Sequence, residues 1–292
     1  MIDPVVAEFV IAILLPGSLM FMMLGLGAGL TPHHLVAPLR RPWPYIVGLF
    51  GQMLMLPAAA FGVAIMARLE PTLAIGLVII AAAPGGIASN VVTVLVRGDM
   101  ALSVLLTLTS SLLGVITMPL LVGLALDLFG GKQQSIDLPL IDTIRQLMTI
   151  LVAPLAVGLV LRLRKPTVAL QLATLADKSA APFLVFVLII LTAGSIDFLR
   201  HHIAAVGLLV VGYLGLMLVL SFALVRLAGL DGPAQRTVTI EVMLQNSSLA
   251  LLVALDLLGS EEFAIVPGCY ALIMLLFVAL LVPIMRKRAM VD

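Results

Sequence analysis

Pro84-Gly85-Gly86-Ile87-Ala88-Ser89-Asn90 lies inside a long apolar run with the length of a membrane-crossing helix. A continuous membrane helix has no use for Pro, paired Gly, Ser and Asn together, because backbone groups freed in hydrocarbon are costly. The helix is therefore expected to break here, with the break buried in protein or lining a cavity. A second run is interrupted in the same way at Glu241-Val242-Met243-Leu244-Gln245-Asn246-Ser247-Ser248, with a carboxylate at membrane depth. Two such interruptions in corresponding places of two halves point to the binding site of a secondary transporter.

Working outward, the 292 residues are 62% hydrophobic and 11% charged, which places the chain among integral membrane proteins. Nine apolar runs, at about 9–30, 44–67, 72–96, 100–128, 143–161, 180–197, 203–226, 234–258 and 262–285, fill almost all of it. The expectation is an all-α membrane protein forming one transmembrane unit over 1–292, with no separate soluble domain. The net charge of +1 and the scattered basic residues argue against a nucleic-acid partner. Cys269 is the single cysteine, so neither an internal disulfide nor a thiolate cluster is available. The start, Met1-Ile2-Asp3-Pro4 with Glu8, is acidic where a signal peptide is basic, and the first run is expected to remain as a span.

Arg40, Arg41, Arg97, Arg162, Arg164, Lys165, Arg226, Arg236, Arg286, Lys287 and Arg288 collect on one side, joined by Lys178. Arg68, Lys132, Arg145 and Arg200 lie on the other. The positive-inside rule makes the first side cytoplasmic, with the N-terminus outside and the C-terminus inside. Spans one to four and six to nine each carry their break in the third member and enter from opposite sides, the pattern of inverted-topology repeats.

Glu241 is the carboxylate most clearly enclosed by a span. Burying it ionised costs several kcal/mol. A bound cation would offset this; protonation, or pairing with Arg236, are the alternatives. Gln52, Ser89, Asn90, Ser103, Thr107, Gln245, Asn246, Ser247 and Ser248 add oxygen atoms at similar depth, and Ser103 and Thr107 share a helical face. Hard oxygen suits an alkali or alkaline-earth ion better than a transition metal. Other features have plainer readings. His33, His34, His201 and His202 read as loop residues. Gly25, Gly27 and Gly29 read as close helix packing, and Asp231 as an N-cap with Pro233 in the first turn. Ser110 and Ser111 lack a nearby base for nucleophilic work.

With the two interrupted stretches, and Arg97-Gly98-Asp99-Met100-Ala101-Leu102-Ser103 between them, the chain resembles the bile acid:sodium symporter family over nearly its whole length. The resemblance implies nine spans, a core domain bearing two crossed discontinuous helices (about 44–128 and 203–285) and a panel domain (about 9–30, 143–161 and 180–197). It implies two sodium ions. The first site would use Ser89, Asn90, Ser103, Thr107 and Glu241; the second Gln52, Glu241 and Gln245 with the carbonyls of Val242 and Leu244. Substrate contacts would fall to Ile87, Asn246, Leu275 and Leu276.

Departures lie on the substrate side. Ile87 stands where the family usually has Thr, Met243 and Ser248 where it has Gly, and Leu275-Leu276 where some bacterial relatives carry His-Asn. Bacterial relatives with an extra first span have ten; this chain is expected to take the nine-span form. The implied activity is sodium-coupled import of an organic anion, bile-acid-like or a smaller carboxylate, by alternating access across the cell (inner) membrane, with no protein partner. Rival readings are a proton-coupled or exporting relative, and a sodium-dependent binding protein without flux. A membrane-embedded enzyme would need a nucleophile with its base, or a metal site, and neither is visible.

Overall fold

The computed structural model describes residues 8–130, 139–194 and 196–288, and its elements are helices throughout. Six helices are long and apolar enough to cross a membrane. They are α1 (Val10–Gly29), α3 (Pro42–Met66), α6 (Met100–Phe129), α7 (Leu140–Arg164), α9 (Ile196–Leu227, through its segment Ala205–Leu227) and α12 (Glu261–Arg288, through Glu261–Lys287). Between them lie α2 (Pro32–Arg40), α8 (Pro166–Gly194) and two pairs of short helices, α4 (Pro71–Ala82) with α5 (Ile87–Leu95) and α10 (Gly232–Met243) with α11 (Ser247–Leu257). Both interruptions read from the sequence are present.

Proline sets much of this local structure. Pro32, Pro42, Pro71 and Pro166 each open a helix, where the missing N–H costs nothing and the fixed φ is already helical. Within spans, Pro16, Pro57 and Pro154 each follow a single wide turn, at Val10–Leu14, Gly51–Met55 and Met148–Val152. A ring inside a helix clashes with the carbonyl four residues back, and a widened turn relieves the clash without breaking the helix. Gln52 sits on the second of these turns.

The glycines near the end of α1 permit close packing, as the sequence suggests. A Cβ on Gly27 would run into the Leu155 carbonyl of α7, and one on Gly25 into Ala176 of α8. Helices α1, α7 and α8 accordingly pack on one another, while α6 and α12 flank α4.

Three expectations need correction. Residues 31–43 are not simply a loop, because Thr31 Oγ1 accepts the His34 N–H at 3.4 Å and starts α2, which carries His33 and His34. The sixth run begins near Pro166 and not near 180: Ala169, Ala173 and Ala176 form a buried helical stripe beside Asp177 and Lys178, whose charge disguised the segment as a loop. His201 and His202 fall inside α9. Asp231 does occupy the N-cap of α10 with Pro233 in the first turn, as the sequence suggests, and its side chain makes no capping bond. Lys132 and the acidic Met1-Ile2-Asp3-Pro4 lie outside the described residues.

Candidate functional site

At the first break, Ala83 turns to extended backbone (φ −66°, ψ 137°) and Pro84 offers no N–H, so α4 stops. At the second, Leu244 leaves the helix at φ −100°, ψ 95°. The two breaks complete each other. Gly85 and Gln245 form an antiparallel bridge, and the Asn246 N–H donates to Pro84 O at 2.9 Å. Side chains take up further freed groups. Ser110 Oγ accepts the Gly85 N–H at 3.3 Å, and the Tyr270 hydroxyl donates to Met243 O at 2.6 Å. Asn246 Oδ1 accepts the Leu249 N–H at 3.1 Å and starts α11.

Beneath this junction Glu241 is fully buried. Its Oε1 accepts from Ser103 at 2.5 Å and its Oε2 from Thr107 at 3.2 Å. Ser103 Oγ also lies 2.8 Å from Asn90 Oδ1 and 3.2 Å from Thr93 Oγ1, while Thr107 Oγ1 stands 3.4 Å from Ser89 Oγ. Each hydroxyl has one proton to give. The oxygen atoms of the cluster therefore outnumber the protons that can sit between them, which is an environment for a cation. Among the described residues no basic side chain reaches Glu241: the Arg236 guanidinium donates instead to Arg97 O, at 3.3 and 3.0 Å.

A second group adjoins the first. Gln52 Nε2 donates to the Glu241 carbonyl at 3.3 Å, and Gln245 Nε2 to the Val242 carbonyl at 2.9 Å. Both amide oxygens, Gln52 Oε1 and Gln245 Oε1, are buried without a donor. A buried acceptor left unpaired costs about 1–3 kcal/mol, so two whose amides bond the main chain at Glu241 and Val242 also favour a cation. Gly85 has no side chain because none fits: a Cβ would stand 2.6 Å from Gln52 Nε2 and 3.0 Å from Glu241 Oε2.

The structure thus gathers Ser89, Asn90, Ser103, Thr107 and Glu241 in one hydrogen-bonded cluster, with Gln52, Val242 and Gln245 beside it. Leu244 is buried at the break itself. Ile87 opens α5 and Asn246 caps α11. Leu275 and Leu276 lie on α12, half-buried and 64% exposed. Thr93 and Tyr270 are missed from the sequence, and Ser110 is weighed there only as a nucleophile. Thr93 lies four after Ser89, and Ser110 continues the Ser103–Thr107 face, so helical spacing marks both.

Several membrane-crossing helices among the described residues, and two interrupted ones tied together around a buried carboxylate, define a multi-pass membrane protein with a polar centre at depth. Residues 16–203 match the Sodium Bile acid symporter family, and the chain belongs to that family, one of sodium-coupled transporters and not of enzymes. It is 29% identical over 239 residues to an uncharacterized sodium-dependent transporter, YocS, of Bacillus subtilis (strain 168), covering 80% of this chain and 71% of that one. It is 28% identical over 280 residues to the human ileal sodium/bile acid cotransporter (94% and 79%). Over 266 residues it is 29% identical to the probable chloroplastic sodium/metabolite cotransporter BASS1 of Arabidopsis thaliana (85% and 60%).

Proposed function

We propose that the chain imports an organic anion together with sodium by alternating access, as a nine-span protein of the cell inner membrane with its N-terminus outside and its C-terminus in the cytoplasm. The observation that carries this reading is the oxygen-rich cluster on Glu241, which no described basic group neutralises.

Two sodium ions enter with the substrate. One is held by Ser89, Asn90, Ser103, Thr107 and Glu241, the other by Gln52, Glu241 and Gln245 with the carbonyls of Val242 and Leu244. The unpaired amide oxygens of Gln52 and Gln245 support the second site. Sodium at both neutralises Glu241 and fixes the two breaks against each other. The N-terminal ends of α5 and α11 then face the substrate, where helix dipoles favour an anionic group. Asn246 has its Oδ1 engaged in capping, leaving its amide protons to donate to a carboxylate.

Ile87, Leu275 and Leu276 give the substrate an apolar surface, in keeping with a bile-acid-like molecule or a smaller apolar carboxylate. Helices α1, α7 and α8 act as the panel. The remaining spans act as the core, related as inverted repeats. The packing of α1 with α7 and α8 supports that division.

The test compares thermal unfolding of detergent-purified protein in sodium and in potassium at equal ionic strength, for the native chain and Glu241→Ala. Sodium at a hundred times its dissociation constant stabilises by about 2.7 kcal/mol, and only the native chain should respond. Equal behaviour in the two salts removes sodium as the coupling ion. Sodium-dependent stabilisation without uptake into proteoliposomes removes transport and leaves binding alone.

A further inference from the structure

We infer that a pocket between α9, α10 and α12 binds the phosphodiester headgroup of an acidic membrane phospholipid, with an acyl chain along its apolar wall. The pocket encloses about 650 Å³ and shares no residue with the cluster on Glu241. Its polar lining is Arg226, Gln235 and Arg236; Phe222, Leu281 and Ile284 supply apolar surface.

Among the described residues the charge is one-sided. Arg226 stands in the last turn of α9 and makes no hydrogen bond or ion pair with any described residue. The Arg236 guanidinium is held in place by its two bonds to Arg97 O. Among the described residues no acid lines the pocket, and exposed Arg286 and Lys287 follow close by at the end of α12. Two guanidinium groups on neighbouring helices suit the paired oxygens of a phosphodiester.

The apolar wall decides between sources of that phosphate. Free phosphate would leave half-buried Phe222 and exposed Ile284 uncovered, whereas a lipid covers them with its tail. Beside the pocket Ile284 is 54% exposed and Leu280 68% exposed on a membrane-crossing helix, so hydrocarbon reaches the opening. Basic pockets between transmembrane helices near the membrane surface recognise anionic headgroups in this way. The inference needs the chain to lie in a membrane; it does not need the sodium reading. A bound lipid would tie α9 and α12 to α10, the half-helix that presents Glu241.

The test is thermal unfolding of the purified full chain with dioctanoyl phosphatidylglycerol, dioctanoyl phosphatidylcholine or inorganic phosphate. The variants are Arg226→Gln, Ile284→Trp and, as a surface-charge control, Arg164→Gln. Phosphatidylglycerol alone should raise the transition temperature. Arg226→Gln should need about fivefold more of it for the same shift, the factor expected for one arginine near a membrane surface. Ile284→Trp, which fills the apolar wall and keeps both charges, should also weaken the response, and Arg164→Gln should behave as native. An equal shift with phosphatidylcholine or with phosphate alone overturns the proposal. So does a response that Arg226→Gln leaves unchanged or that Arg164→Gln weakens equally.

Discussion

Gly85 and Gln245 pair as a single antiparallel bridge between two helix interruptions that lie in different halves of the chain. Gly85 is tied there and enclosed: Gln52 Nε2 and Glu241 Oε2 occupy the space a side chain would need. Gly85→Ala is therefore expected to displace both of those groups. Overpacking of this kind typically costs about 1–3 kcal/mol, so the sodium concentration for half-maximal stabilisation should rise about tenfold. A sodium titration of the unfolding temperature reads this directly, and an unchanged midpoint would sink it.

Ser103 bonds Glu241 Oε1 but takes no part in the Gln52 and Gln245 group. Ser103→Ala should impair one ion and spare the other, so the sodium dependence of uptake should lose steepness and approach a Hill coefficient of about one. Glu241→Gln, which touches both groups, should abolish sodium-driven uptake while the protein still reaches the membrane. A Ser103→Ala profile as steep as the native one would argue against two separate ions.

Tyr270 gives its hydroxyl proton to the Met243 carbonyl that the second break releases. Removing that oxygen in Tyr270→Phe leaves a buried carbonyl unpaired, at a cost of about 1–3 kcal/mol. The expected result is a lower unfolding temperature in potassium, where sodium contributes nothing. No change would mean that the carbonyl finds another donor.

Gly27 and Gly158 mark a close approach of α1 and α7, each facing backbone atoms of the other helix. Backbone cannot retreat as the tip of a side chain can. Gly27→Val or Gly158→Val should force the two helices apart and lower the yield of folded protein, seen as aggregation in size-exclusion chromatography. Gly62→Val, where nothing lies near the added carbon, is the control that should elute as native.

Outside the spans, His34 on α2 is held below the usual imidazole range, first by burial and then by the charges of His33 and Arg162. The unfolded chain takes up this proton near pH 6.5, the folded chain only at lower pH. Between those values the unfolded state binds more protons, so stability should fall as pH drops below about 6.5. His34→Asn should flatten that decline in a pH series of unfolding temperatures; an identical decline would assign it to other groups.

The two breaks and the depth of Glu241 were legible because Pro, paired Gly and a carboxylate have no role in an uninterrupted apolar helix. Element boundaries were legible wherever hydropathy changed sharply. They failed where it did not: the buried Ala169–Ala173–Ala176 stripe of α8 is small-sided and sits beside Asp177 and Lys178, so it resembles a linker. Helix α2 was hidden by His33, His34 and Arg40, whose polarity says nothing of backbone winding. Tyr270 escaped because its partner is a main-chain oxygen 27 residues earlier, and periodicity is blind to such a pairing. The Gly85–Gln245 bridge was illegible for the same reason.

That bridge also bears on the order of synthesis. Pro84 emerges from the ribosome long before Asn246, whose N–H is the partner of its carbonyl. Chains fold from the N-terminus as they are made. The first interruption therefore waits in the bilayer with unpaired peptide groups until the last part of the chain has been inserted. The nascent protein must keep that region wet or shielded meanwhile, and a product truncated before Asn246 would lack the means to close it.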